Sequence, residues 1–394
     1  MQKYDVIIIG GYGHIGLPMG ITLADTGLQV GLYDIDKSKE AIISAGQMPF
    51  LEYDAEPILQ RVIGNTLHLV PEISAVSNTR SIVITIGTPL DEYMNPKLMP
   101  MLSLAEDLLP LLHDDHHIIL RSTVYPGTSD RLNDFFRKNG LNLHLTFCPE
   151  RIAQGYAIRE LRALPQIISG FTEEGIQRSC ELFERLDQEI IVVDVMEAEM
   201  AKLFSNAWRY ISFSISNQFY MMATENGLDF NRIYHAMTHG YERGKHFPRP
   251  GFAAGPCLLK DTMQLSAFYQ NNFMLGQSAM LVNEGLPAFI IGQLQQKYDL
   301  KQETVGILGM AFKADVDDIR DSLSYKLGKL LRFYGANVLY SDEFARNPDF
   351  ISKEELIAQS TIVILGVPHS AYRQLEIPPH IHLVDVWGFF TNGR

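Results

Sequence analysis

Apolar residues along the chain fall into short β-branched runs that alternate with stretches of helical period. The first run, residues 5–9, leads into glycines and a helical pattern to about residue 26, and a second run follows at 28–34. Further runs occupy 81–87, 117–122 and 143–147, with helical patterns such as 102–112 and 129–138 between them. Two more, 166–170 and 189–194, flank another helix. Strands alternating with helices of this length predict right-handed βαβ units and a mostly parallel sheet. From 198 to about 226 the pattern is helical without a proline, longer than an ordinary globular helix. Gly227 marks a turn, a Gly/Pro/basic loop runs from 240 to 255, and helices resume through 296. A second βαβ series starts at 303–310, with strands expected near 336–341, 361–366 and 382–386. The predicted architecture is α/β, then all-helical, then α/β, with domains at 1–195, 196–296 and 297–394.

One apolar stretch, 6–24, has the hydropathy of a membrane or signal segment, but it holds five glycines and His14 and lacks a basic flank. A buried strand, turn and helix is the better reading. The 394 residues are 46% hydrophobic and 20% charged, which suits several domains with their own cores and excludes a disordered chain. Cys148, Cys180 and Cys257 have neither the number for a disulfide framework nor the spacing of a zinc site. A net charge of −13 argues against nucleic acid or an anionic membrane as partner, and the expected setting is cytoplasmic.

The turn after the first strand reads GYGHIG, so Gly11, Gly13 and Gly16 form G-x-G-x-x-G between strand and helix. Glycine there permits the tight turn, lets a pyrophosphate approach the backbone and packs helix on strand, while the helix N-terminus attracts the anion. Asp34 ends the next strand, where a carboxylate accepts from the adenosine ribose hydroxyls and repels the 2′-phosphate of NADP. The predicted cofactor is therefore NAD, held in a Rossmann domain by Gly11, Gly13, His14, Ile15, Gly16 and Asp34. Ligands of open α/β sheets lie beyond the carboxyl ends of strands, and three such ends carry Thr88-Pro89, Ser122-Thr123 and Pro149-Glu150. Each alone reads as well as a turn or cap. Together they point to one crevice, with Thr88 and Thr123 joining the cofactor set.

On the long helix Lys202 and Asn206 are four apart and share a face, where they can donate to an oxyanion or a bridging water. From the helix alone, a Glu199–Lys202 surface pair is the simpler account of that lysine. The segment GPCLLKD puts Cys257, Lys260 and Asp261 within five residues. A thiol is a good nucleophile only as thiolate, which a nearby ammonium favours, and an aspartate can orient water or act as a base. A lone cysteine after Gly-Pro is more often structural, but the basic residues Arg243, Lys245 and Arg249 upstream point to an anion. In AFKADVDDIRDS, Lys313 and Arg320 suit a phosphate or diphosphate, and without a full G-x-G-x-x-G the region reads as a site for something other than a second dinucleotide.

In this order, GYGHIGLP, Thr88-Pro89, STVYPGT, CPER, EMAKLFSNAWR, GPCLLKD, GMAFKADVDDIRDS and VDVWG resemble the nucleotide-sugar dehydrogenases of the UDP-glucose/GDP-mannose dehydrogenase family. The resemblance covers nearly the whole chain. It implies an N-terminal Rossmann domain, a central all-helical domain whose long helix spans a homodimer interface, and a C-terminal Rossmann-like α/β domain that binds the nucleotide-sugar. The implied reaction is a four-electron oxidation of a sugar nucleotide's primary alcohol to the uronic acid with NAD. By this resemblance Cys257 attacks the aldehyde, Lys202 and Asn206 stabilise oxyanions, Asp261 and Thr123 position water or relay protons, and Glu150 is acid/base at the thioester step. Glu150, Lys202, Asn206, Lys260, Lys313 and Arg320 hold the substrate, and the loop around Arg243 and Lys245 reaches a neighbouring subunit's site.

The sequence also departs from the family. Relatives show Gly-Gly-Ser or Gly-Gly-His before the nucleophile, where this chain has Ala254-Gly255-Pro256, and Leu259 stands where a proline is common. Pro256 removes an N–H beside the thiol and Ala254 narrows backbone freedom. Two competing readings follow. A two-electron 3-hydroxyacid-type dehydrogenase needs neither Cys257 nor the region after 303, and a non-catalytic sensor needs no set of Cys257, Lys202, Asn206 and Asp261.

Overall fold

The first strand, β1 (Tyr4–Ile9), sends Val6 and Ile8 into one apolar cluster and Ile7 and Ile9 into another. Alternation with both faces buried is what a parallel sheet covered by helices on each side requires. Residues 4–390 are described by this computed structural model, and the chain divides into two compact units, Met1–Ser205 and Asn206–Arg394.

In the first unit β1 is followed by α1 (Gly16–Asp25), β2 (Val30–Tyr33), α2 (Glu40–Ser44), α3 (Ala55–Val62), β3 (Leu67–Leu69), β4 (Thr79–Ile84) and α4 (Met99–Leu108). Then come β5 (His117–Leu120), α5 (Thr128–Lys138), β6 (His144–Phe147), α6 (Ala157–Ala163), β7 (Gln166–Gly170), α7 (Glu173–Glu184), β8 (Ile190–Val192) and the start of α8 (Val195–Glu225). The sheet runs β3-β2-β1-β4-β5-β6-β7-β8, and its strand pairs are parallel except β6 with β7. Register is set by Val6 opposite Val30 on one side and Ser81 on the other. The order reverses between β1 and β4, which opens a crevice beyond their carboxyl ends. This is the Rossmann arrangement expected from the strand–turn–helix pattern. Under β5 a polar cluster is buried: His117 Nε2 lies 3.1 Å from both Thr146 Oγ1 and Ser179 Oγ.

The second unit holds the rest of α8, then α9 (Phe230–Thr238), α10 (Leu258–Phe268), α11 (Met274–Gln295), β9 (Thr304–Leu308) and α12 (Leu323–Phe333). It continues with β10 (Asn337–Ser341), α13 (Lys353–Gln359), β11 (Ile362–Leu365) and β12 (His382–Val384). Its parallel sheet runs β10-β9-β11-β12, the same order as β2-β1-β4-β5 in the first unit. Val305, Ile307, Ile362 and Ile364 enter one cluster, and Leu308, Val363 and Leu365 the other. Leu286, Ile290, Ile291 and Leu294 of α11 pack into the first of these clusters, so helices and sheet share one core here. The apolar stretch at 6–24 folds as β1, turn and α1, and among the described residues no helix is long and apolar enough to cross a membrane.

Candidate functional site

The glycine turn between β1 and α1 separates its glycines by job. A Cβ on Gly16 would lie 2.3 Å from Gly10 O, and one on Gly11 would lie 2.9 Å from Leu32 Cβ, so both are needed for packing. A Cβ on Gly13 would meet only Gly10 O at 3.4 Å. A methyl group at Gly13 would therefore meet no more than ordinary contact, so packing does not demand glycine there, whereas close approach of a pyrophosphate would. Ile15 caps α1 without a side-chain hydrogen bond, and the His14 ring sits 4.0 Å from that of Phe50. Asp34 just past β2 accepts Tyr12 N–H at 3.0 Å on Oδ2 and Asp36 N–H at 3.0 Å on Oδ1. A carboxylate offers about four lone-pair sites, so Asp34 keeps capacity for ribose hydroxyls.

Beyond β4 and β5, Thr88 Oγ1 donates to Thr123 O at 2.5 Å and Ser122 Oγ to Ile86 O at 2.7 Å, which ties these two strand ends together. Glu150 beyond β6 is buried against Arg121, with which it forms an ion pair, while its Oε1 accepts Arg151 N–H at 2.7 Å and Ile152 N–H at 3.0 Å. Arg121 has no side-chain exposure and also donates to Gln166 Oε1 at 2.9 Å. Burial lowers its pKa to about 10. Arg121 carries no motif of its own, and nothing short of the fold shows that it faces Glu150.

Lys202 is buried on α8, one turn before Asn206 on the same face. Glu199 is not a surface group, as the simpler sequence reading had it. It is buried, and it accepts Gly127 N–H at 2.6 Å and Ser129 N–H at 2.9 Å at the start of α5. Burial raises its pKa, against those hydrogen bonds. The carboxylate thus ties α8, one turn before Lys202, to the loop that follows Thr123.

In the second unit Cys257 caps the N-terminus of α10 and is exposed. Asp261, fully buried one turn on, has both oxygens engaged: Asn206 Nδ2 donates to Oδ2 at 2.5 Å and Lys260 Nζ lies 2.7 Å from Oδ1. The loop before the cysteine is fixed from α8, where Asn217 accepts Gly251 N–H at 2.7 Å and donates to Gly251 O at 3.0 Å. Gly255 has φ +100°, and a Cβ there would lie 2.5 Å from the Phe312 ring. Glycine is obligatory at that position, whereas Ala254 is not among the residues with positive φ. The unusual Ala-Gly-Pro sequence therefore keeps the one glycine the backbone demands.

Arg320 is gripped by Asp318, with Nε 3.0 Å from each carboxylate oxygen and Nη2 2.6 Å from Oδ2. Asp318 holds the guanidinium above its ordinary pKa, and Cys257 adds to this electrostatically. Arg320 and Cys257 thus belong to one neighbourhood. Lys313 lies half-buried in the segment after β9. Arg243 sits exposed in a short turn, Lys245 pairs with Glu242 at 3.4 Å, and Arg249 stacks 4.4 Å over Tyr234. The structure groups the glycine turn, Asp34, Thr88, Thr123 and Glu150 in the first unit, and Asn206, Cys257, Lys260, Asp261 and Arg320 in the second.

The sequence profile of the UDP-glucose/GDP-mannose dehydrogenase family matches in its three parts. Its NAD binding domain matches residues 5–187, its central domain 196–285 and its UDP binding domain 306–391. The UDP-N-acetyl-D-mannosamine dehydrogenase of Pyrococcus horikoshii is 26% identical over 384 residues, covering 94% of this chain and 91% of that one. The GDP-mannose 6-dehydrogenase of Pseudomonas savastanoi pv. phaseolicola is 28% identical over 428 residues, covering 98% and 97%. In backbone, the chain is similar to a UDP-glucose dehydrogenase from the archaeon Pyrobaculum islandicum, with a TM-score of 0.89, 22% identity and 98% of each chain covered.

Proposed function

The chain belongs to the UDP-glucose/GDP-mannose dehydrogenase family, and on that premise we propose that it oxidises the primary alcohol of a nucleotide-sugar, of UDP-hexose or UDP-N-acetylhexosamine type, to the uronic acid. In balance, the alcohol, two NAD⁺ and one water give the carboxylate, two NADH and three protons. NAD⁺, for which the first domain is the family's binding domain, supplies the hydride acceptor. The reading is carried by the exposed Cys257 at a helix N-terminus, one turn from an aspartate held by Asn206 and Lys260.

Cys257 Sγ adds to the aldehyde carbon after the first oxidation, and Lys202 and Asn206 donate to the oxygen that becomes negative. A helix N-terminus and a guanidinium are the surroundings in which a thiol ionises readily. Loss of a second hydride from the thiohemiacetal leaves a thioester, which water hydrolyses. Asp261 and Thr123 orient that water or relay its proton, and Glu150 serves as acid/base. Arg121 holds that carboxylate in place through a buried ion pair. Fixed donors around a developing oxyanion, and a covalent intermediate that separates oxidation from hydrolysis, are what this chemistry needs.

Lys313 and Arg320 receive the diphosphate, with Lys260 and Arg243 as further substrate contacts. Domain bounds of 1–195, 196–296 and 297–394 are supported by the three matched stretches. A homodimer through α8 is supported by Phe204, Trp208, Ile215, Phe219 and Met222, exposed apolar residues at helical spacing. The free cysteines accord with a cytoplasmic setting.

The test is NADH formed per sugar consumed across UDP-, GDP- and CDP-sugars, with C257S in parallel. Two NADH per sugar and collapsed turnover in the variant are expected. One NADH with the variant still active would overturn the thioester route in favour of a two-electron enzyme. Sugar-nucleotide binding without NADH from any sugar would leave a sensor.

A further inference from the structure

Asp342 and His369 play no part in the chemistry above, yet both are buried at the carboxyl end of the second sheet, beside the segment that carries Lys313 and Arg320. Asp342 Oδ2 accepts Met310 N–H at 2.6 Å and Ala311 N–H at 2.9 Å, and lies 3.0 Å from His369 Nε2. Its Oδ1 accepts Phe344 and Ala345 N–H, both at 2.8 Å. On the other side of the ring, His369 Nδ1 accepts Asp315 N–H at 2.9 Å. A backbone N–H can only donate, so Nδ1 carries no hydrogen and Nε2–H donates to Asp342.

The imidazole is thus a two-ended strut between a strand-end carboxylate and the middle of the 310–321 segment. Ser370 N–H donates back to Asp315 Oδ1 at 2.8 Å, and the Asp315 φ of +58° is a conformation that a non-glycine residue seldom holds unaided. Across the same segment, Phe312 N–H donates to Asp318 O at 2.9 Å, and Asp318 in turn grips Arg320. The rings of Phe344 and Tyr372 pack against the imidazole, with centroids at 4.9 and 5.4 Å.

We propose that His369 is a positioning residue: through Asp315 it fixes the 310–321 segment, and with it Lys313 and Arg320, in the shape that receives a nucleoside diphosphate. The inference rests on the proposed substrate class. Each bond removed from the strut should loosen the segment and weaken diphosphate binding without touching the NAD⁺ site.

The experiment compares the full-length parent with H369Q, which keeps a donor and an acceptor, H369N, which keeps only the acceptor towards Asp315, and H369L, which keeps neither. Affinities for UDP, GDP and NAD⁺ are measured by calorimetry, and amide exchange over 311–321 by mass spectrometry. Expected are a Kd for the diphosphate that rises in the order parent, H369Q, H369N, H369L, reaching about tenfold or more, faster exchange in 311–321 in the same order, and an unchanged Kd for NAD⁺. If H369L does not yield folded protein, the order among the other three decides. Equal diphosphate affinity and equal exchange across the series, even with a lowered Tm, would overturn the proposal. If the parent binds neither UDP nor GDP, the substrate reading fails, and the exchange order alone decides whether His369 holds the segment.

Discussion

Asn206 on α8 donates its side-chain N–H to Asp261 Oδ2 at 2.5 Å, across 55 positions of sequence, while Lys260 occupies the other oxygen. Asp261 is completely buried, so this bond is part of the fold, and under the proposed reaction it also belongs to the chemistry at Cys257. Replacing the donor by a second carboxylate in N206D would force the pair to share a proton. Turnover at pH 7 should fall by about 10²-fold or more in both N206D and N206A. Only N206D should recover as the pH is lowered. Superimposable pH profiles of kcat for the two variants would show that the bond has no electrostatic role.

The two glycines of the β1–α1 turn should respond differently to one methyl group. G16A drives Cβ into Gly10 O and should lower stability by about 1–3 kcal/mol in urea unfolding. G13A leaves the fold intact, with a Tm close to the parent's, and raises the Kd for NAD⁺ by about tenfold. Loss of stability in G13A without loss of affinity would mean that Gly13 is a packing glycine too.

Arg121 and Glu150 form a buried ion pair whose halves are unequal to remove together and apart. R121M leaves Glu150 buried without its counter-charge and should cost about 3–5 kcal/mol. Adding E150L to R121M should return much of that loss, read by urea unfolding, while activity stays low. Additive losses in the double variant would show that the pair is not coupled.

Acid stability should depend on His117, whose burial depresses its pKa from 6.5 to about 3. The unfolded chain binds the proton first, so the stability contributed by the neutral ring is complete above pH 6.5 and is lost as pH falls from there to 3. The slope approaches about 1.4 kcal/mol per pH unit. At Asp342, burial opposes the charge but His369 and the backbone N–H groups outweigh it, holding the pKa at about 2. Its contribution is present above 3.8 and is lost between there and 2. H117L should flatten the upper part of the acid profile, as followed by urea midpoints from pH 7 to 4, and leave the lower part unchanged.

The strands legible in the sequence were those with continuous apolar runs, because burial on both faces writes hydrophobicity at every position. The run at 5–9 became β1 (Tyr4–Ile9), and the long helix read over 198–226 became α8 (Val195–Glu225). β3 (Leu67–Leu69) was not read from the sequence. The reversed pairing of β6 with β7 depends on tertiary contacts that local pattern does not record. In the candidate site, residues within a motif were visible together: Cys257, Lys260 and Asp261 lie within one helical turn and a half. Glu199 and Arg121 were not, since a buried partner far along the chain leaves no mark on the residue that meets it. Glu199 three positions before Lys202 looks like any surface ion pair until the start of α5 is seen against it.

The shared strand order of the two sheets ends in two aspartates that occupy the same place in their frames but differ in what they can still offer. Asp34, with two backbone donors, has acceptor capacity to spare for a guest sugar ring. Asp342, with four backbone donors and an imidazole, is saturated by its own chain. The same strand-end carboxylate therefore keeps lone pairs for a guest in the first frame, and in the second is spent on holding its own backbone.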